Sequence, residues 1–295
     1  MRVFVTGSTG FVGTAVVAEL IAHGHQVLGL ARSDDGAAAL QAAGAQVQRG
    51  TVDDLDILTA SARACDAVAH LAFNHDFSRF AENCAQDGRA IDTLTAALEG
   101  TGKPFLATSG LAGLASGRAA TEGDRLDAHK FPRLSEPRTE AAAARGVKAS
   151  VVRLAPSVHG RGDHGFIPTL IGIARQKGVA AYVGDGANRW PGVGRADAAR
   201  VFRLALERGE GGRAWHAVGE EGVPMKAIQT LIGERLGLPV VSKTPEEASE
   251  HFGWMGMFVG MDLPTSSRIT QDLLGWTPTA PGLLEDMADA GYLDR

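Results

Sequence analysis

Three glycines set three apart, in Thr6-Gly7-Ser8-Thr9-Gly10-Phe11-Val12-Gly13, constrain this chain more than any other feature. They follow Val3-Phe4-Val5, a β-branched and aromatic run that reads as a strand. They open Phe11 to Ala22, where Phe11, Ala15, Ala18 and Ile21 recur at helical steps. Gly7 lets the chain turn sharply off the strand. Gly10 lets backbone N–H groups approach a pyrophosphate, and Gly13 lets the helix pack close to the sheet. The helix N-terminus adds unpaired N–H groups and a partial positive charge. Such a triplet between a strand and a helix predicts a dinucleotide site that includes Gly7, Ser8, Thr9, Gly10, Phe11, Val12 and Gly13.

The pattern continues as alternating strands and helices. Strands are expected at Gln26 to Leu30, Ala45 to Arg49, Ala67 to Leu71, Pro104 to Thr108 and Ser150 to Leu154. Helices are expected between them, from Asp34 or Asp35 to Ala43, Leu55 to Arg63, Phe77 to Glu99 and Glu136 to Arg145. Short apolar strands separated by helices predict an α/β fold, a doubly wound parallel sheet of Rossmann type. After Leu154 the pattern loosens, with helices near 195–208, 224–236 and 267–274. We expect residues 1–155 to form the dinucleotide-binding domain, with 193–214 packing back on it. Residues 156–192 and 215–295 would form a smaller C-terminal substrate lobe.

The second strand ends in Leu30-Ala31-Arg32-Ser33. An acid at that place would hold the ribose 2′-hydroxyl of NAD. Arg32 can instead fork onto a 2′-phosphate, with Ser33 beside it. Asp34 and Asp35 read as helix caps. NADP is therefore expected over NAD.

The chain has 295 residues and a formal net charge of -5, which argues against a nucleic-acid partner. No run approaches the ~18 apolar residues of a membrane span. Its two cysteines, Cys65 and Cys84, make neither a zinc set nor a disulfide framework, so no metal is expected. With no basic, apolar leader at Met1 to Thr6, a cytoplasmic location is expected.

Thr6 to Gly13, Asp66-Ala67-Val68-Ala69-His70-Leu71-Ala72, Leu106-Ala107-Thr108-Ser109 and Val152-Arg153-Leu154-Ala155-Pro156-Ser157-Val158-His159-Gly160 resemble the extended or atypical short-chain dehydrogenase/reductases, the NAD-dependent epimerase/dehydratase family. The resemblance implies that Leu71, Ala72 and Phe73 line the nicotinamide ribose. It further implies that Asp53 sits near the adenine, Pro156 belongs to the cofactor site and Ser109 contacts substrate. It also implies a tyrosine with a lysine four residues later as the proton-donating pair. This chain has neither: its only tyrosines are Tyr182 and Tyr292, and no Tyr-x-x-x-Lys occurs.

In the corresponding segment, His129 and Arg133 have the four-residue spacing, although Pro132 interrupts the helix that would set it. A histidine can donate a proton near neutral pH. His75, after the fourth expected strand, is an alternative donor, and Ser109 with water is another. His159, Arg161, Asp163 and His164 lie in a glycine-rich loop expected to gate cofactor or substrate. All four tryptophans (Trp190, Trp215, Trp254 and Trp276) fall in the C-terminal half, with Phe252, Met255, Met257, Phe258 and Met261 near Trp254. They predict either a core or an apolar wall for a hydrophobic substrate.

The resulting expectation is an NADP-dependent oxidoreductase acting on a small, rather apolar carbonyl, alcohol or activated double bond. A non-catalytic NADP-binding sensor and a sugar-nucleotide epimerase or dehydratase are the alternatives. A homodimer is expected by fold analogy alone.

Overall fold

The computed structural model describes residues 1–127, 133–289 and 291–293. The first half runs β1 (Arg2–Thr6), α1 (Phe11–Ala22), β2 (Gln26–Ala31), α2 (Asp34–Ala42), β3 (Gln46–Arg49), α3 (Leu55–Ala64), β4 (Ala67–His70), α4 (Phe80–Leu98), β5 (Pro104–Ser109), α5 (Ser135–Ala144) and β6 (Lys148–Leu154). The second half runs β7 (Ser157–His159), α6 (Phe166–Lys177), β8 (Ala180–Val183), β9 (Arg189–Gly194), α7 (Arg195–Arg208), β10 (Ala214–Ala217), β11 (Glu220–Pro224), α8 (Met225–Leu236), β12 (Val240–Lys243), α9 (Pro245–Phe252), α10 (Gly256–Val259), α11 (Arg268–Leu274) and α12 (Leu283–Asp289).

Seven parallel strands form the main sheet, in the order β10-β6-β5-β4-β1-β2-β3. The order reverses between β1 and β4, which opens a crevice at the C-terminal ends of those strands. On one face, Val16, Val17 and Leu20 of α1 meet Val201, Phe202 and Leu206 of α7. On the other, Leu58, Ile91 and Leu94 from α3 and α4 cover Phe4, Val68 and Phe105. Helices on both faces explain why the strands read as continuous apolar runs.

The main sheet takes up Ala214–Ala217, which extends into the segment expected to belong to the smaller lobe. Trp215 and Trp276 accordingly lie in the core beside α7, not with the other two tryptophans. Trp190 joins a separate core with Ile167, Ile171, Met225, Ile228, Phe252 and Met287. That core packs around a three-stranded sheet, β11-β9-β7, and the parallel pair β12-β8. Helices α6 and α9 lie in stretches the sequence pattern left irregular. The second is fixed by a capping box between Thr244 and Glu247. Ser33, rather than Asp34 or Asp35, caps α2: its Oγ accepts from Gly36 N at 3.1 Å. The two acids occupy the helix's first turn, where they favour its positive end.

Candidate functional site

The glycine turn has the shape its spacing predicts. Gly7 sits at φ +66°, in the left-handed region, and a Cβ there would stand 2.6 Å from Ala72 N. A Cβ on Gly13 would stand 1.9 Å from the Gly7 carbonyl oxygen. Gly10 differs: the sole neighbour of its Cβ position is the Gly7 carbonyl oxygen, at 3.3 Å. Gly10 is the N-cap of α1, with no side-chain cap and no acid in the first turn. These features fit a dinucleotide pyrophosphate: a positive helix end, and a glycine whose missing side chain leaves room. Ser8 is fully buried and its hydroxyl donates to Leu30 O at 2.8 Å, so its side chain ties the turn to β2. Thr9 is exposed beside it.

At the ends of β2 and β3, Arg32 and Ser33 are exposed. Arg49 reaches across to them, donating to the carbonyls of Arg32, at 3.2 Å, and Ser33. Arg49 was not expected. Its signal is a second arginine at the carboxyl end of the neighbouring strand. Asp53 lies farther along this edge, accepting from Gln86 Nε2 at 2.6 Å and facing Arg89 at 3.7 Å.

At the opposite side of the crevice, Leu71, Ala72 and Phe73 leave β4 half-buried. Ala72 N donates to Thr6 Oγ1 at 3.3 Å. The Arg133 guanidinium lies 4.0 Å over the Phe73 ring. It donates from Nη2 to Thr108 O and from Nε to Ser135 Oγ, both at 2.9 Å. Burial draws the Arg133 pKa down, while the Asp87 charge opposes the shift. Ser109, next to Thr108 at the end of β5, is buried. His129 lies outside the described residues.

His75 makes an edge contact with Phe73 at 5.3 Å. It is exposed at the crevice mouth, yet crowding by protein holds its pKa below the ordinary histidine value. Arg133 and His164 act in the same direction. The glycine-rich loop closes over the phosphate turn. The His164 ring meets that of Phe11 edge-on at 5.8 Å, and the Arg195 guanidinium lies 4.7 Å over the same ring. Tyr292 fixes this loop, accepting from Gly160 N and donating to Asp163 Oδ2, both at 2.9 Å. His159 is committed to Asp286 at 2.9 Å. Pro156 is half-buried just past the end of β6. No cluster of three or more metal-ligating side chains occurs among the described residues.

Two residues beyond His164, Phe166 begins an aromatic group. Its ring lies 5.1 Å from Phe258, 5.9 Å from Trp254 and 5.7 Å from Trp190. Trp254 remains 44% exposed and Met257 65%, so this group is an accessible apolar surface as well as a core.

A polar chain beneath the crevice also escaped the sequence reading. Thr6 Oγ1 lies 2.7 Å from His70 Nδ1, and His70 Nε2 lies 3.2 Å from Asp87 Oδ1. Asp87 Oδ2 accepts from Ser135 Oγ at 2.5 Å. Burial raises the Asp87 pKa. His70, Arg133 and Ser135 more than offset that, and its carboxyl is held below the usual range. The available signal was polar Asn83 and Asp87 on the face of α4 that also carries Cys84 and Ile91.

Residues 3–97 match the NAD dependent epimerase/dehydratase family. An uncharacterized protein of Schizosaccharomyces pombe is 48% identical, over 99% of this chain and all of its own length. A 4-hydroxy-2-methyl-3-oxo-4-farnesyl-3,4-dihydroquinoline-1-oxide ketoreductase of Stigmatella aurantiaca is 29% identical, over all of this chain and 92% of its own. Among solved structures, the dTDP-glucose 4,6-dehydratase DesIV of Streptomyces venezuelae, with NAD bound, superposes with a TM-score of 0.77 at 21% identity, covering 99% of this chain and 96% of its own. The chain belongs to the NAD dependent epimerase/dehydratase family of extended short-chain dehydrogenase/reductases, and is an NAD(P)-dependent oxidoreductase of an atypical kind that lacks the tyrosine–lysine pair.

Proposed function

We propose that this protein is an NADP-dependent reductase of apolar ketones or activated double bonds. The observation that carries the reading is the Phe166, Trp254 and Phe258 surface, joined through His164 to the phosphate turn. An apolar wall beside a cofactor cleft suits a hydrophobic substrate better than a sugar nucleotide. The Stigmatella relative supports it, as a ketoreductase whose named substrate carries a farnesyl chain. A 2-alkyl-3-oxoalkanoate reductase of Stenotrophomonas maltophilia, 27% identical over 82% of this chain, points the same way. Arg32 and Arg49 support NADP over NAD.

A dinucleotide held there would supply the hydride that reaches the carbonyl carbon, leaving the displaced electron pair on the oxygen. His129 donates the proton that oxygen needs, in place of the missing tyrosine. Gly7 to Gly13 hold the pyrophosphate, and Leu71 to Phe73 line the nicotinamide ribose. Asp53 borders the adenine side, while Pro156 and Ser109 border the reacting end.

The test mixes purified protein with NADPH or NADH and a panel of acetophenone, benzylacetone, ethyl acetoacetate and cyclohexenone, followed at the nicotinamide absorbance. Oxidation of NADPH by at least one member is expected. Tight NADPH binding with no oxidation by any of them would point instead to a binding protein.

A further inference from the structure

We infer that Arg133 is the cation that receives the substrate oxygen, and that Ser135, Asp87 and His70 are positioning residues that hold it in place. The inference rests on the reductase reading for its substrate, but the geometry stands by itself.

The hydrogen bonds of the buried chain converge on Asp87. Thr6 Oγ1 accepts from Ala72 N and is hydrogen-bonded to His70 Nδ1. Asp87, held ionised, can only accept, so His70 Nε2 carries a proton and donates to Asp87 Oδ1. Ser135 accepts from Arg133 Nε, so its hydrogen goes to Asp87 Oδ2. Asp87 is the sink at both ends. The negative charge of Asp87 and the positive charge of Arg133 thus lie one hydroxyl apart.

This arrangement differs from an ordinary buried ion pair. A guanidinium forked onto a carboxylate is neutralised in place. Here one hydroxyl stands between them, and Thr6, His70, Asp87 and Ser135 are each at most 4% exposed. The carboxylate stabilises the arginine's charge without occupying the guanidinium. Arg133 is also held from above by the Phe73 ring and from the side by the Thr108 carbonyl. Contacts from five elements (β1, β4, α4, β5 and α5) thus fix one cation where β4 and β5 end, the side of the crevice assigned to the nicotinamide. A preorganised donor at a developing oxyanion needs no reorganisation when charge appears, and so contributes a large share of catalysis. The hydride and proton transfers are those given above; Arg133 exchanges neither.

The test compares wild type with Arg133→Ala, Arg133→Lys, Ser135→Ala, Ser135→Thr and Asp87→Asn. Benzoate, a carboxylate that mimics the alkoxide, is titrated in the presence of NADP⁺, and kcat is measured with any ketone the wild type reduces. Arg133→Ala should lower kcat by ~10²–10³-fold, as loss of one oxyanion donor does. It should weaken benzoate at least tenfold and leave NADP⁺ affinity within about threefold of wild type. Added guanidinium ion should restore part of both. Ser135→Ala and Asp87→Asn should weaken benzoate by about tenfold, and Ser135→Thr, which keeps the hydroxyl, should recover it. Circular dichroism and melting identify any variant that has not folded, and the remaining variants then decide. Unchanged benzoate affinity in folded Arg133→Ala overturns the inference. So does an equal loss in Ser135→Ala and Ser135→Thr, which leaves the hydroxyl without a part. If the wild type reduces no ketone yet loses benzoate on Arg133→Ala, the reductase reading falls and the anion-receiving arginine stands.

Discussion

Arg49 Nη2 lies 3.0 Å from Asp34 Oδ1, across the turn that joins β2 to α2. The same guanidinium donates to the carbonyl oxygens of Arg32 and Ser33. The edge that carries Arg32 is therefore held from the adjacent strand, not left to the flexibility of an exposed turn. Asp34 is fully exposed and Arg49 nearly half, so the pair is a weak one that a stronger anion can displace. A ribose 2′-phosphate, with up to two negative charges, is such an anion.

Cofactor choice follows from that edge. Charge-assisted hydrogen bonds are worth roughly 1.5–3 kcal/mol each. Arg32→Ala should weaken NADPH by about 10- to 150-fold and leave NADH nearly unchanged, since NADH presents no phosphate there. Arg49→Ala should weaken NADPH in the same sense, and salt should erode the wild-type preference. Titration of nicotinamide fluorescence measures all of these constants. Equal affinity of the wild type for both cofactors would refute the NADP assignment.

The sheet and the glycine turn were legible because they follow from local rules. A strand, three spaced glycines and a helix specify one backbone path, and continuous apolar strands specify two covered faces. The lobe was harder. Residues 166–177 begin directly after a glycine-rich loop, and no side-chain cap marks the start of that helix. Ala214–Ala217 is a four-residue strand whose place depends on β6, some sixty residues earlier in sequence. The Thr6, His70, Asp87 and Ser135 chain was unreadable for the same reason. Its members come from four elements, and each resembles an ordinary core or helix residue until the fold brings them together. Arg133 was singled out because it follows His129 by four residues, the spacing the resemblance implies for the missing pair.

The glycines of the turn should separate by role. Gly10→Val has one close backbone neighbour, at 3.3 Å, so the fold should survive while the new side chain fills the pyrophosphate space. NADPH binding should then be abolished at an unchanged melting temperature. Gly13→Ala puts a methyl 1.9 Å from the Gly7 carbonyl oxygen and should destabilise the protein itself. Calorimetry beside cofactor titration distinguishes the two. A Gly10→Val protein that binds NADPH normally would move the phosphate site elsewhere.

The two histidines proposed as proton donors should behave differently. His75 is held below its ordinary pKa by crowding, Arg133 and His164, so near neutral pH it is mostly uncharged and a poor acid. His75→Phe should change kcat little at neutral pH, while His129→Phe should lower it by ~10²–10⁴-fold with cofactor affinity kept. The same depressed pKa has a consequence for stability. The unfolded chain takes up the proton first, near pH 6.5. The contribution of a neutral His75 is therefore complete above that pH and is lost as pH falls through the folded value. Melting temperature, followed downward from pH 7, should fall more steeply for wild type than for His75→Phe. Equal kcat losses in both variants would mean that neither histidine donates the proton.

The last prediction concerns the support behind α5. The Arg153 side chain is fully buried, and Glu136 holds it through two hydrogen bonds, one of them 2.9 Å from Nε to Oε2. Arg153 Nη1 also meets His216 Nε2 at 2.9 Å, and Nη2 donates to Asp124 O at 2.6 Å. His216 Nδ1 lies 2.7 Å from Ser266 O, so the ring donates there and accepts from the arginine. That assigns a neutral imidazole, in keeping with burial holding its pKa down. Removing one partner of such a pair leaves an uncompensated buried charge, which costs about 3–5 kcal/mol. Glu136→Ala should therefore lower the melting temperature by roughly 6–20 °C, at about 2–4 °C per kcal/mol. The double variant Glu136→Leu, Arg153→Met removes both charges and should recover much of that loss, because the desolvation cost of the pair disappears with it. Glu136 adjoins Ser135, so the double variant also separates stability from function: the helix regains its packing, while the distant phosphate turn and Arg32 are untouched and NADPH affinity should stay at the wild-type value. Denaturant unfolding of the wild type, Glu136→Leu, Arg153→Met and the double variant, analysed as a double-mutant cycle, measures the coupling. A coupling near zero would mean that the buried pair is spectator to the fold and that His216, Asp124 and packing hold this corner without it.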